Sequence, residues 1–153
     1  MKALIHAYKF EGRKTLKKFF SDVLERFIEQ HLKTVSFDAV AAVPLDPDNK
    51  RSRGFNQSEF LSRRVAQMLK VDDLSKEIHR KKSASPQSLL SKTQRRINVK
   101  GCFFASPGHR FSSKKILLID DILTTGQTAS ECAKILKAAG ALSVDVLTLA
   151  RGA

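Results

Sequence analysis

Between Ile116 and Thr128 the chain reads ILLIDDILTTGQT. An apolar run ends in two adjacent carboxylates. Two threonines and a glycine follow, and helical periodicity then begins. A short run that is apolar on every residue has to be covered on both faces, so it predicts a buried strand between two layers. Gly126 lets the backbone turn tightly and come close to a ligand. The N–H groups of the loop and helix start, aided by the helix dipole, favour an anion. The hydroxyls of Thr124, Thr125 and Thr128 can donate to phosphate oxygens. Asp120 and Asp121 would repel a phosphate at contact distance, but they can accept hydrogen bonds from sugar hydroxyls a few ångströms away. Phosphate at one end of the loop and a diol at the other describe a ribose 5-phosphate. The plainer alternative is that Asp121 and Thr124 cap the helix while the acids are solvated. Capping uses one such residue, whereas this stretch spends two acids, three threonines and a glycine.

The rest of the chain supplies a matching frame. Arg13 to Lys33 places Leu16, Phe19, Phe20, Val23, Leu24, Phe27, Ile28 and Leu32 at helical spacing, an amphipathic helix with a broad apolar face. Phe37 to Val43, FDAVAAV, predicts a buried strand ending at Pro44. PLDPDNKRSRGFNQ is polar with two prolines and a glycine, and is expected to be a loop. Ser58 to Leu69 resumes helical periodicity, and Leu74 to His79 fits a short strand. Arg80 to Gly101 is a long basic segment, more often functional than idle in a compact domain. Thr128 to Ala139 predicts a helix with Gly140 at its C-terminal cap, and Val144 to Leu149 a last strand. Strands alternating with helices predict an α/β fold, a mainly parallel sheet with helices on both faces. Ligands of such sheets bind beyond the carboxyl ends of the strands, where Pro44 and Asp120 both fall.

The 153 residues suffice for one domain, expected over 1–153. No apolar run approaches the roughly 20 residues of a membrane span, so no membrane insertion is expected. MKALIHAYKF lacks the pattern of a secretory signal. Cys102 and Cys132 are too few for a disulfide framework or a four-cysteine zinc site, which suits reduced thiols and a cytoplasmic location. His6, His31, His79 and His109 show no metal-ligand spacing. The formal charge of +13 attracts polyanions, either nucleic acid or a multiply phosphorylated small molecule.

ILLIDDILTTGQT resembles the thirteen-residue signature of type I phosphoribosyltransferases. A second segment, RGFNQ at Arg53 to Gln57, resembles the hallmark of the ComF family of competence-associated proteins, which are phosphoribosyltransferase-like. HAYKFEGR, VPLDP and PQSLLSKTQRRINVKGCF are also ComF-like and lie in order around it. The resemblance implies a type I phosphoribosyltransferase fold with a small N-terminal hood, here residues 1–13, and a mobile loop, here 80–101. It implies phosphoribosyl diphosphate (PRPP) with Mg²⁺ as ligand and cofactor. Asp120 and Asp121 would hold the ribose hydroxyls, and Thr124, Thr125, Gly126, Gln127 and Thr128 the 5-phosphate. A diphosphate loop would comprise Pro44, Leu45, Arg51, Arg53 and Gly54. From the mobile loop, Lys81, Lys82, Arg95 and Arg96 are candidates to meet the diphosphate. For each of these four an exposed basic surface is the competing reading, and Asn56 is expected to cap the next helix. Many ComF-like proteins carry a cysteine-rich zinc module before the HAYKF-like segment. No such cysteines precede it here, so either this family member lacks the module or the sequence is a piece of a longer protein; no property of that module transfers, and none of these residues is assigned as a direct metal ligand.

Two functions follow from different classes. One is an enzyme that transfers a phosphoribosyl group from Mg²⁺–PRPP to an acceptor the sequence does not reveal. The other is a protein that handles single-stranded DNA through a basic surface on the same fold. Aromatic residues are only 7% of the chain, which weakens the base-stacking part of the second.

Overall fold

The computed structural model describes residues 14–32, 34–82 and 99–152. The elements are α1 (Lys14–His31), β1 (Ala39–Ala42), α2 (Pro47–Arg53), α3 (Gln57–Leu69), β2 (Asp72–Asp73), a 3-10 turn at Ser75–Glu77, β3 (Ile78–Arg80), β4 (Phe103–Ala105), β5 (Lys115–Leu123), α4 (Gln127–Ala138) and β6 (Ser143–Arg151). Four strands form one sheet in the order β2-β1-β5-β6, and β3 and β4 form a separate antiparallel pair. Every pairing within the larger sheet is parallel, with Ala39 opposite Ile116 and Ala42 opposite Ile119.

Apolar residues on both faces force this layering. In β5, Ile116 and Leu118 enter one core with Cys132 and Leu136 of α4, while Leu117 and Ile119 enter the other with Phe20, Leu24 and Ile28 of α1 and Leu61 and Val65 of α3. β1 divides in the same way, with Ala39 and Ala41 on one side and Val40 on the other. The helices therefore cover both faces, as the alternating pattern predicts. Phe20 is wholly buried, worth on the order of 2–3 kcal/mol for a side chain of this kind.

Three expectations are corrected. Within the segment from Pro44 to Gln57, residues 47–53 are a helix, not a loop. Asp46 caps it through a hydrogen bond from the Asp48 amide, Pro47 takes the first turn, and Gly54 closes it at φ 76°. This is the N-terminal Pro, C-terminal Gly asymmetry of helices. Around Leu74 to His79 the strand begins only at Ile78, after the 3-10 turn. The acid pair does not end its strand, because β5 continues to Leu123 and Asp120 pairs with Thr148 of β6. Beyond the acids, Ile122 packs with the Leu117 core and Leu123 with the Ile116 core, so the two-residue alternation slips at the acid pair. The expected hood, residues 1–13, lies outside the described residues, as do residues 83–98 of the expected mobile loop.

Candidate functional site

Backbone pairing creates the site. The amide of Val43 donates to the carbonyl of Ile119 at 2.9 Å, which carries Pro44 alongside the acid pair at the carboxyl edge of the sheet. Asn56 locks this edge to α3, as its capping expectation requires. Its Oδ1 accepts from the Ser58 amide at 3.0 Å, and its Nδ2 donates to the Val43 carbonyl at 3.1 Å. One buried side chain thus starts a helix and fixes the end of β1.

Asp120 is oriented from two directions. Its Oδ1 accepts from the Ser58 hydroxyl at 3.2 Å and from the Asp121 amide at 2.9 Å. Asp121 is the more buried of the two, at 9% exposure. Beneath them on α4, the buried Cys132 thiol is pushed well above its usual range, first by burial and then by the negative charge of Asp120. That thiol stays protonated and inert.

After β5 the chain turns through Thr124 and Thr125 to Gly126, the N-cap of α4 at φ 74°. A β-carbon there would meet only Leu123 Cδ1 at 3.8 Å, so the backbone angle, not crowding, calls for glycine. Gly126 offers no side chain to cap the first turn. Thr125 Oγ1 takes the Gln127 amide at a long 3.4 Å. The start of α4 thus retains the anion-favouring character of a helix lacking an N-cap side chain. Thr124, Gly126 and Thr128 line a small hollow of about 20 Å³ together with Asp120. Gly152 packs against Thr124. The Gly152 amide donates to the Leu123 carbonyl at 2.7 Å, and a β-carbon at Gly152 would lie 3.0 Å from Thr124 Cγ2.

The remaining predicted residues divide. Pro44 and Leu45 follow the end of β1 that is bonded to β5, and they also line a larger cavity of about 640 Å³. Arg51 is exposed on α2 and donates to Asp48 at 2.6 Å, with Lys82 3.4 Å from the same carboxylate. Arg53 lies in the last turn of α2. Gly54 serves as its left-handed cap, with open space around it. The Lys81 amide continues the β3–β4 hairpin by donating to the Cys102 carbonyl. Arg95 and Arg96 lie outside the described residues. Sequence reasoning missed Ser58 and Gly152. Ser58 stands one residue after the RGFNQ segment, and a hydroxyl in the first turn of a helix was the available signal. Gly152 had none.

Electrostatics at the far end of the basic segment are also organised. Glu131 of α4 is held below the usual carboxylate range, first by the hydrogen bond from Lys134 and, against its burial, by the backbone amide of Gly101. This fixes the point where the segment rejoins the domain. Among the described residues no helix is long and apolar enough to cross a membrane.

A parallel sheet edge bearing an acid pair, followed by a glycine-started helix, is the arrangement the signature predicts. The family model for the phosphoribosyl transferase domain matches residues 20–153, and the chain belongs to that family. Within it, competence protein ComFC of Streptococcus pneumoniae is 36% identical over 151 residues, covering 99% of this chain and 63% of that protein. The DNA utilization protein YhgH of Escherichia coli O157:H7 is 31% identical over 151 residues, covering 97% and 66%. These relatives bear out the ComF resemblance, and the chain spans about two thirds of their length. A crystal structure of adenine phosphoribosyltransferase superposes with a TM-score of 0.56 at 12% identity, covering 94% of this chain and 74% of that one, which supports the fold.

Proposed function

We propose that the chain binds PRPP in the manner of a type I phosphoribosyltransferase and transfers its phosphoribosyl group. The carrying observation is the acid pair held by Ser58 on one side and followed directly by a helix start without a side-chain cap on the other. Asp120 and Asp121 would accept from the ribose hydroxyls, and residues 124–128 would hold the 5-phosphate. Pro44 and Leu45, which follow β1, would meet the C1 end of the ligand.

Transfer from PRPP requires no covalent nucleophile. The bond from C1 to the diphosphate oxygen breaks as the ribose gains positive charge, and the acceptor supplies the new electron pair. The protein contributes positioning and charge stabilisation. Mg²⁺ is usually held by one or two carboxylates together with substrate phosphates, not by an all-protein cage. Asp120 and Asp121 fit that need. Bound with the diphosphate, Mg²⁺ would neutralise charge on the leaving group.

A second reading concerns single-stranded DNA. It is favoured by the +13 charge and by the similarity to the DNA utilization protein YhgH. The acid pair opposes DNA at the PRPP site itself, because two carboxylates repel a phosphate backbone, so DNA would use a separate basic face.

Calorimetry with PRPP, with and without Mg²⁺, tests the main reading. Binding that strengthens with Mg²⁺, with a rise in melting temperature, is expected. A saturating PRPP titration with neither heat nor thermal shift would remove the reading's main support.

A further inference from the structure

The two edges of the larger sheet are finished differently. At one edge β2 is only two residues long, and just beyond it the Ala42 amide of β1 donates to the Ser75 hydroxyl at 2.8 Å. A very short edge strand, with the next amide already taken, offers little to another chain. At the other edge β6 runs for nine residues, SVDVLTLAR, with no proline and no lysine. Among the described residues no strand pairs with its outer side. An edge of this length presents a row of N–H and C=O groups and is a template for a further strand.

Apolar side chains flank this edge. Val146 is 42% exposed, and Leu142, just before the strand, is exposed as well. On the sheet face that carries Leu147, α3 packs against β2, β1 and β5, and α1 packs against α3 in the core that Leu147 joins. α1 is thus the helix on the β6 side of that face. It spaces Phe19, Val23 and Phe27 four residues apart, and both phenylalanines are exposed.

The charges on β6 point to the occupant. Asp145 and Arg151 are the only charged residues of the strand, and both are exposed. Alternation along the strand places them on one face with Leu147 and Leu149. In an antiparallel pair formed about a twofold axis normal to the sheet, directly opposed residues share a face. With Thr148 on that axis, Asp145 stands opposite Arg151 of the partner subunit, and Arg151 opposite Asp145 of the partner subunit. Placing Leu147 or Leu149 on the axis instead breaks both pairs. The strand is therefore complementary to itself in one register.

We propose that the chain forms a symmetric dimer through β6, with Asp145 and Arg151 paired across the seam and the two α1 helices beside it. Backbone bonds and apolar contacts supply the affinity, while the opposed charges fix the register. This assignment is independent of what Asp120 and Asp121 bind.

Sedimentation velocity on the whole chain, from micromolar to millimolar concentration, tests it. Each copy carries +13, so the run is made at physiological salt to screen the general repulsion. The native chain should show a concentration-dependent dimer of twice 17.1 kDa. Asp145→Arg and Arg151→Asp each set like charges opposite one another at both ends of the seam. Each alone should weaken dimerisation by roughly tenfold or more. Mixed in equal amounts, the two variants face each other with opposite charges and should recover native dimer strength. A native chain that stays monomeric throughout overturns the proposal. So does a native dimer that neither reversal weakens, and so does weakening without recovery in the mixture. Should a reversal fail to fold, Val146→Lys replaces it, since it sets a lysine at an exposed position of the edge. Loss of the dimer in that variant supports the seam, and a dimer of native strength overturns it.

Discussion

Replacing Asn56 should show how tightly the functional edge is tied to the fold. Its carboxamide makes two bonds of different kinds. Oδ1 caps α3 at 3.0 Å, and Nδ2 satisfies the carbonyl of Val43 at 3.1 Å, with the residue 4% exposed. Losing an N-cap costs about 1 kcal/mol. Leaving a buried carbonyl without a donor costs about 1–3 kcal/mol. Asn56→Ala loses both, so roughly 3 kcal/mol should disappear. At about 2–4 °C per kcal/mol for a chain of this size, the melting temperature should fall by roughly 6–12 °C. Asn56→Ser retains a capping oxygen but cannot reach Val43, so its loss should be smaller by about 1 kcal/mol. Urea denaturation of the three proteins separates the contributions, provided the slopes agree. An Asn56→Ala loss under about 0.5 kcal/mol, the usual size of a neutral surface change, refutes the double role. Equal losses in Ala and Ser refute the cap.

Other consequences are open to direct test. Asp120→Asn with Asp121→Asn should weaken PRPP binding while sulfate still binds at the loop, whereas Gly126→Val should lose sulfate too, because φ 74° is hostile to a β-branched residue; equal sulfate loss in both, by calorimetry, would show the two halves of the site misassigned. Cys132 has its thiol pKa raised in the folded state, so the stability it contributes is complete below the unfolded thiol pKa of about 8.5 and declines as pH rises beyond it. Denaturation at pH 8 and pH 10 should therefore show the native chain losing stability relative to Cys132→Ala, and parallel losses would contradict the burial. If single-stranded DNA binds, replacing Lys81, Lys82, Arg95 and Arg96 with alanine should flatten the dependence of affinity on salt, since fewer counterions are released; anisotropy titrations at two salt concentrations would detect an unchanged slope.

The sequence was most legible where burial is complete. β1 and the start of β5 are apolar on both faces, the pattern of a strand buried between two layers. The helix following Gly126 carried both its spacing and its entry signal. Residues 47–53 were missed because a seven-residue helix buries no side chain and so shows no apolar period. Its caps, Asp46 with Pro47 and then Gly54, were the only markers. β4, and with it the pairing of β3 to β4, escaped because three residues are too few to show alternation. Arg80 was hardest of all. It opens the run RKK and looks like surface charge, yet pairing with Phe103 draws its side chain inward while Lys81 and Lys82 remain exposed. Neighbouring charges on a strand point to opposite faces, and only the partner strand decides which is covered.

The parallel pairing of β1 with β5 has a consequence for synthesis. Asp38, just before β1, accepts from the Lys115 amide, 77 residues along the chain. During translation at about 5–20 residues per second, β1 must wait roughly 4–15 s for its neighbour to emerge. In that interval α1 and α3 have been made, but Leu117 and Ile119 of β5, which share the core with Phe20, Leu24 and Leu61, have not. The nascent chain therefore carries apolar helix faces that β5 has yet to cover for seconds, the kind of transient surface that favours aggregation until the sheet closes.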